Sequence, residues 1–221
     1  MLFLHGYLSN KQSFAYSTAY LSRYFDVHAI DLKGFGENQP MQKPYSLDDY
    51  VLDVKKYIQD NNLKSPHVIG HSFGCRIILK ALSYEPDLFD KVVLTGAAGL
   101  KPKNTFKKRV KKFVFNILKR FIKKERLKRF YSADYQSLNP VMKESFKLIV
   151  NEHLDDKLHL IKNKTLIIFG DCDNQTPLYM ARRLNKNIKN SKLVVIPNAG
   201  HFCFIDKPMK FNMEVREFLL S

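Results

Sequence analysis

A serine hydroxyl, an imidazole and a carboxylate can together break a carbonyl bond, and this chain holds candidates for all three. The hydroxyl is a poor nucleophile until a base takes its proton, which imidazole does near neutral pH. The imidazole in turn needs a carboxylate to fix its tautomer and stabilise its cation. Ser72 lies in Gly70-His71-Ser72-Phe73-Gly74, which fits G-x-S-x-G. His201 lies in Asn198-Ala199-Gly200-His201-Phe202, and two carboxylates, Asp171 and Asp173, lie in Gly170-Asp171-Cys172-Asp173-Asn174-Gln175-Thr176-Pro177. Ser72, Asp173, His201 gives the chain order Ser…Asp…His that belongs with this serine motif. Asp173 is preferred to Asp171 on pattern; Asp171 suits a turn.

The motif requires a strand before the serine and a helix after it. A short apolar run, 66–69, reads as a buried strand, and Ile77, Ile78, Ala81 and Leu82 recur at helical spacing. The turn between them is tight, so Gly70 and Gly74 flank the serine where bulk would clash. It lifts the hydroxyl above the sheet, and the N–H of Phe73 opens the helix facing a developing oxyanion. Each of the other candidates also follows a strand, 165–169 for the acid and 193–196 for His201. Open sheets place their ligand sites in such loops.

Further strands are expected at 2–4, 27–30 and 91–94. Helices are expected over about 11–24, 46–61, 177–188 and 207–220, with Ser46 as a cap and Pro177 as a first helical residue. Short apolar strands alternating with helices predict an α/β fold, its mostly parallel sheet covered on both faces. Residues 101–130 break the alternation, with fourteen Lys or Arg against one acid, Glu125, in a chain of net charge +16. Phe106, Val110, Phe113, Val114, Ile117, Leu118, Phe121 and Ile122 recur there at steps of three and four, the pattern of a long amphipathic helix with a basic face. A second helix is expected over 140–151. Because core strands flank this block, it is an insertion.

These motifs resemble the α/β-hydrolase fold superfamily, in family order and over nearly the whole chain. The resemblance rests on His5-Gly6 after a strand, Asp31-Leu32-Lys33-Gly34-Phe35-Gly36, the Gly70 to Gly74 motif, Gly170-x-x-Asp173-x-x-Thr176-Pro177 and Gly200-His201-Phe202. It implies a core of 1–99 and 163–221, and a helical cap over the site at 100–162. It also implies a second oxyanion donor, the N–H of Tyr7, with His5, Gly6 and His71 as supporting residues. Such members cleave esters, thioesters, amides or C–C bonds, and a few bind ligands without turnover. A Ser nucleophile disfavours the epoxide and haloalkane branches, which use Asp. Members usually open with two antiparallel strands; here Met1 leads directly into the His-Gly strand, so the strand at 27–30 is expected at an edge.

The expected activity is a carboxylesterase-like hydrolysis of a small or medium-sized, apolar ester, without metal or cofactor. C–C bond hydrolysis by the same residues is the alternative, then action on esters at a lipid surface, then a non-catalytic ligand-binding role. Cys75, Cys172 and Cys203 are odd in number and unpatterned, which indicates neither a disulfide framework nor a zinc site. No run approaches the ~18 apolar residues of a membrane span. The start is too short and lacks the basic residues of a secretory signal, so a cytoplasmic location is expected. The basic face of 106–130 suits an anionic membrane surface. Few aromatics interleave with it, and nucleic acid is not the expected partner.

Overall fold

The computed structural model describes residues 1–38, 40–103 and 138–221. The amphipathic stretch 106–122, and most of the basic face, lie outside the described residues. Within them, six strands form one sheet: β1 (Leu2–Leu4), β2 (His28–Ile30), β3 (Val68–His71), β4 (Val92–Thr95), β5 (Thr165–Gly170) and β6 (Ser191–Ile196). The order is β2-β1-β3-β4-β5-β6, every pair parallel. β2 stands at one edge, where the sequence places it.

Alternation of side chains explains why the buried strands β1, β3, β4 and β5 are so apolar. Leu2, Leu4, Val68, Val92, Leu94, Ile167 and Phe169 point into the core on one face. Phe3, Ile69, Val93, Leu166 and Ile168 point into the core on the other. A strand buried on both faces has no polar side to show.

Helices α2 (Leu47–Asp60), α3 (Phe73–Leu82) and α5 (Leu178–Asn187) cover the first face, and α4 (Pro140–Asn151) adds Met142 and Ile149 to the same core. A turn of 3-10 helix (Lys11–Phe14), α1 (Ala15–Leu21), a one-turn α6 (Cys203–Asp206) and α7 (Pro208–Leu220) cover the second. The helix expected over 11–24 is therefore two short pieces, and α1 ends at Leu21. Asn10 caps the 3-10 turn by accepting from the N–H of Gln12. Ser46 and Asp49 cap α2 reciprocally, each side chain bonding the other's backbone N–H. Pro177 is the N-cap of α5 and not its first helical residue, its ψ being 152°. Among the described residues no helix is long and apolar enough to cross a membrane.

α3 is buried on every side, including Arg76 and Lys80. Arg76 donates to the carbonyls of Ile149, at 2.7 Å, and of Glu152. Both lie at the C-terminal end of α4, where carbonyls lack intrahelical partners and a cation is favourable. Lys80 pairs with Glu152 and with Asp48 at 3.1 Å. Tyr45 N–H donates to Ser145 Oγ at 2.8 Å, and Tyr7 Oη to Met142 O at 3.2 Å. α4 is thus tied to the core along its length.

The junction of β3 and α3 is packed tightly. A Cβ on Gly74 would stand 2.1 Å from the carbonyl oxygen of Leu4, a backbone atom held in the sheet. Gly74→Ala is expected to destabilise the protein by about 1–3 kcal/mol, the cost of overpacking a rigid site. Thermal unfolding checks this, and an unchanged melting temperature would mean that α3 does not sit so close on β1.

Candidate active site

The C-terminal ends of four parallel strands bring the candidate residues together. β1 delivers His5, Gly6 and Tyr7; β3 delivers His71 and Ser72; β5 leads to Asp173; β6 leads to His201. Ser72 has φ 48° and ψ −102°, a left-handed conformation that costs a non-glycine residue about 1–3 kcal/mol. Its neighbours hold it there. Ser72 N–H donates to Thr95 O at 3.0 Å, Gly74 N–H to His5 O at 3.1 Å, and Ala98 N–H to Ser72 O at 3.2 Å. Phe73 is the first residue of α3, so its N–H belongs to the donors a helix leaves without an internal acceptor.

His201 Nδ1 lies 2.8 Å from Asp173 Oδ2, both residues buried. Asp173 is held from the other side as well. Its Oδ1 accepts from the backbone N–H groups of Gln175 and Thr176, each at 2.8 Å, and its Oδ2 from Thr176 Oγ1 at 2.7 Å. Burial alone pushes this carboxyl up. The bonds from His201 and Thr176 outweigh it, and the pKa falls below the ordinary aspartate value. An ionised Asp173 accepts Nδ1–H and leaves His201 Nε2 bare, as a base requires.

Asp171 points elsewhere. It is exposed, and its Oδ1 accepts from Cys172 Sγ at 3.2 Å and weakly from Ala199 N–H at 3.4 Å. Of the two carboxylates that the sequence offers, the structure brings Asp173 to His201.

His5 is buried in the turn after β1. Its Nε2 accepts from Leu32 N–H at 3.0 Å, which puts the proton on Nδ1 for Gly6 O at 2.7 Å. Burial lowers its pKa and keeps it neutral. It braces the turn that carries Gly6 and Tyr7.

Ser72, His71 and His201 open on one cavity of about 350 Å³, walled by Tyr7, Leu138, Phe146 and Phe202. Leu138 and Phe146 come from the end of the insertion. Gln175 also reaches it. A larger cavity, about 570 Å³, lies beside the edge strand β2, lined by Asp31, Asp53, Tyr57 and neighbours. Neither Ser72, Asp173 nor His201 lines it, so size does not bring the candidate residues to it. Among the described residues, no group of three or more His, Cys, Asp or Glu could hold a metal ion.

Sequence reasoning missed Thr176 as a partner of the acid. The spacing Asp173-x-x-Thr176 was its signal, since a side chain three residues on can return to a turn carboxylate. Phe146 and Leu138 were also missed, because nothing in their own segment points to a cavity.

The model of the alpha/beta hydrolase fold family matches this chain over residues 1–121 and 100–208. The chain belongs to that family. It is 26% identical to a pimeloyl-[acyl-carrier protein] methyl ester esterase of Wigglesworthia glossinidia brevipalpis, over 99% of this chain and 93% of the relative. It is also 26% identical to a 2-hydroxy-6-oxo-2,4-heptadienoate hydrolase of Pseudomonas putida, over 91% of this chain and 80% of the relative. An esterase from Exiguobacterium antarcticum superposes with a TM-score of 0.78 at 25% identity, covering all of this chain (100%) and 91% of the esterase.

The Thr176 hydroxyl gives a stability prediction with a definite sign. A carboxyl whose folded pKa is depressed stabilises the fold above its unfolded pKa, and that contribution is lost as pH falls through the folded value. Thr176→Val removes one donor to the charged form. The variant is expected to be about 1.5–3 kcal/mol less stable near neutral pH. The gap should narrow as pH falls below the ordinary aspartate range and Asp173 protonates. Denaturant unfolding at several pH values checks it; a gap that does not change with pH would show that the hydroxyl does not act through the carboxylate.

Proposed function

We propose that the protein is a serine hydrolase that cleaves a small or medium-sized, apolar carboxylic ester through an acyl-enzyme. The observation that carries this reading is the buried Asp173–His201 pair opening on the cavity that Ser72 lines. His201 Nε2 takes the Ser72 proton as Oγ attacks the substrate carbonyl. The N–H groups of Tyr7 and Phe73 hold the oxyanion. His201 then protonates the departing alcohol, leaving the acyl group on Ser72. Water, deprotonated by His201, attacks that acyl carbon, and the acid leaves as Ser72 recovers its proton.

Residues 100–162 serve as the cap. Leu138 and Phe146 give it an apolar inner wall, which suits an apolar ester, and the esterase relatives support the same class. Hydrolysis of a C–C bond beside a carbonyl is a second reading, favoured by the heptadienoate hydrolase relative. It uses the same three residues on a different leaving group. The three cysteines are free and Cys172 is exposed, which suits the reducing cytoplasm.

Fluorophosphonate labelling and a hydrolysis screen over p-nitrophenyl esters and C–C substrates test the reading. Ser72→Ala is expected to lose labelling and about 10⁴ to 10⁶ in kcat. More than a few per cent of activity left would remove Ser72 as the nucleophile. Asp173→Asn should lower kcat by about 10³ to 10⁴ through the wrong imidazole tautomer, and Asp171→Asn far less. The reverse ranking would move the acid by two residues.

The basic run supports a further placement of the same activity, on an anionic lipid surface. Each Lys or Arg near such a surface contributes roughly 1 kcal/mol, so even half of the fourteen would hold the chain there. Sedimentation with anionic vesicles should carry the protein down, more weakly as salt rises. Equal binding to zwitterionic vesicles, or none at low salt, would leave the run as a solvated face.

A further inference from the structure

We propose that His71 is a positioning residue that fixes the loop bearing His201, an inference that rests on His201 being the base. His71 ends β3, one residue before Ser72, and is 1% exposed. Its Nε2 lies 3.1 Å from the backbone oxygen of His201, 130 residues away. A carbonyl only accepts, so Nε2 carries the proton and Nδ1 is left a bare acceptor. That Nδ1 is buried and has no hydrogen-bond partner among the described residues. It faces Gly6, where a Cβ would stand only 2.8 Å away.

The ring is thus closed in by the turn after β1 on one side and by the His201 loop on the other. Its centroid lies 4.6 Å from that of His201, 4.7 Å from Phe202 and 5.0 Å from Phe204.

Stacking alone does not explain a histidine here. A phenylalanine would make the same ring contacts without burying an unpaired acceptor, which is a cost. What the imidazole adds is the Nε2–H bond to His201 O. That bond ties the backbone of the base to the strand that ends at the nucleophile, so the two reacting side chains keep one spacing. Burial drives the pKa of His71 down to about 3, so the ring is neutral at any working pH and sets no second cation beside His201.

The test compares His71→Phe with His71→Gln, whose Nε2 amide can restore the donor. In His71→Phe, kcat on p-nitrophenyl esters should fall about tenfold to a hundredfold, the scale of a small misplacement, while KM stays within about twofold. Hydrogen exchange of the amides in 198–206 should quicken. His71→Gln should recover most of both. Should the Phe variant fail to fold, His71→Leu takes its place. Equal losses in the Phe and Gln variants, or exchange unchanged in both, would overturn the proposal. If the wild type neither hydrolyses esters nor labels at Ser72, the reading of the site falls. The exchange arm still decides then whether His71 braces the loop.

Discussion

A serine forced into left-handed backbone at the junction of β3 and α3 constrains the rest of the structure. Nothing in Ser72 itself favours φ 48°. The conformation holds because the groups around it are already committed: Ser72 N–H to β4, its carbonyl to Ala98, and Gly74 N–H to the end of β1. α3 must then start directly on Leu4, and only a residue without Cβ fits there. The helix cannot lean away, since its ten residues are all buried. Ser72 therefore rests on rigid elements, the preorganisation that the proposed attack would call for.

The treatment of charge follows from the same burial. Four donors meet the Asp173 carboxylate, so it stays ionised although buried. Asp171, two residues earlier, is solvated and free of that demand. Arg76 and Lys80 face the opposite problem, cations inside the fold. They are matched by helix-end carbonyls and by Glu152 and Asp48, which arrive from distant segments. An unpaired charge at either place would be strongly destabilising.

Much of this was legible in the sequence. The strands stood out because both their faces are apolar, and the elbow because two glycines flank a serine between a strand and a helix. The choice of Asp173 over Asp171 rested on pattern, since both sit in one polar loop and only the fold of that loop aims one of them at His201. Arg76 was illegible. Periodicity assigns an arginine to a solvated face, and its partners lie over seventy residues downstream, across the insertion. The break in the 11–24 helix was equally hidden, because an Asn10 cap can open a 3-10 turn or an α-helix, and the two pieces pack on different partners: the turn on β1, β2 and α6, α1 on α7.

The attachment of α4 bears on how such a site selects its substrate. Three side chains of the core hold this helix: Tyr7 and Arg76 donate to its carbonyls, and Lys80 pairs with Glu152 just past its end. Tyr7 also packs edge-on against Phe146 of α4, with centroids 5.2 Å apart, and against Phe73 beside Ser72, at 5.5 Å. The aromatic wall of the cavity is therefore continuous with the elbow. Moving α4 outward as a unit would break the hydrogen bonds that charged Arg76 donates to its C-terminal end, and such bonds contribute about 1.5–3 kcal/mol each. On this side the described residues form a packed aromatic wall, anchored to the core through α4.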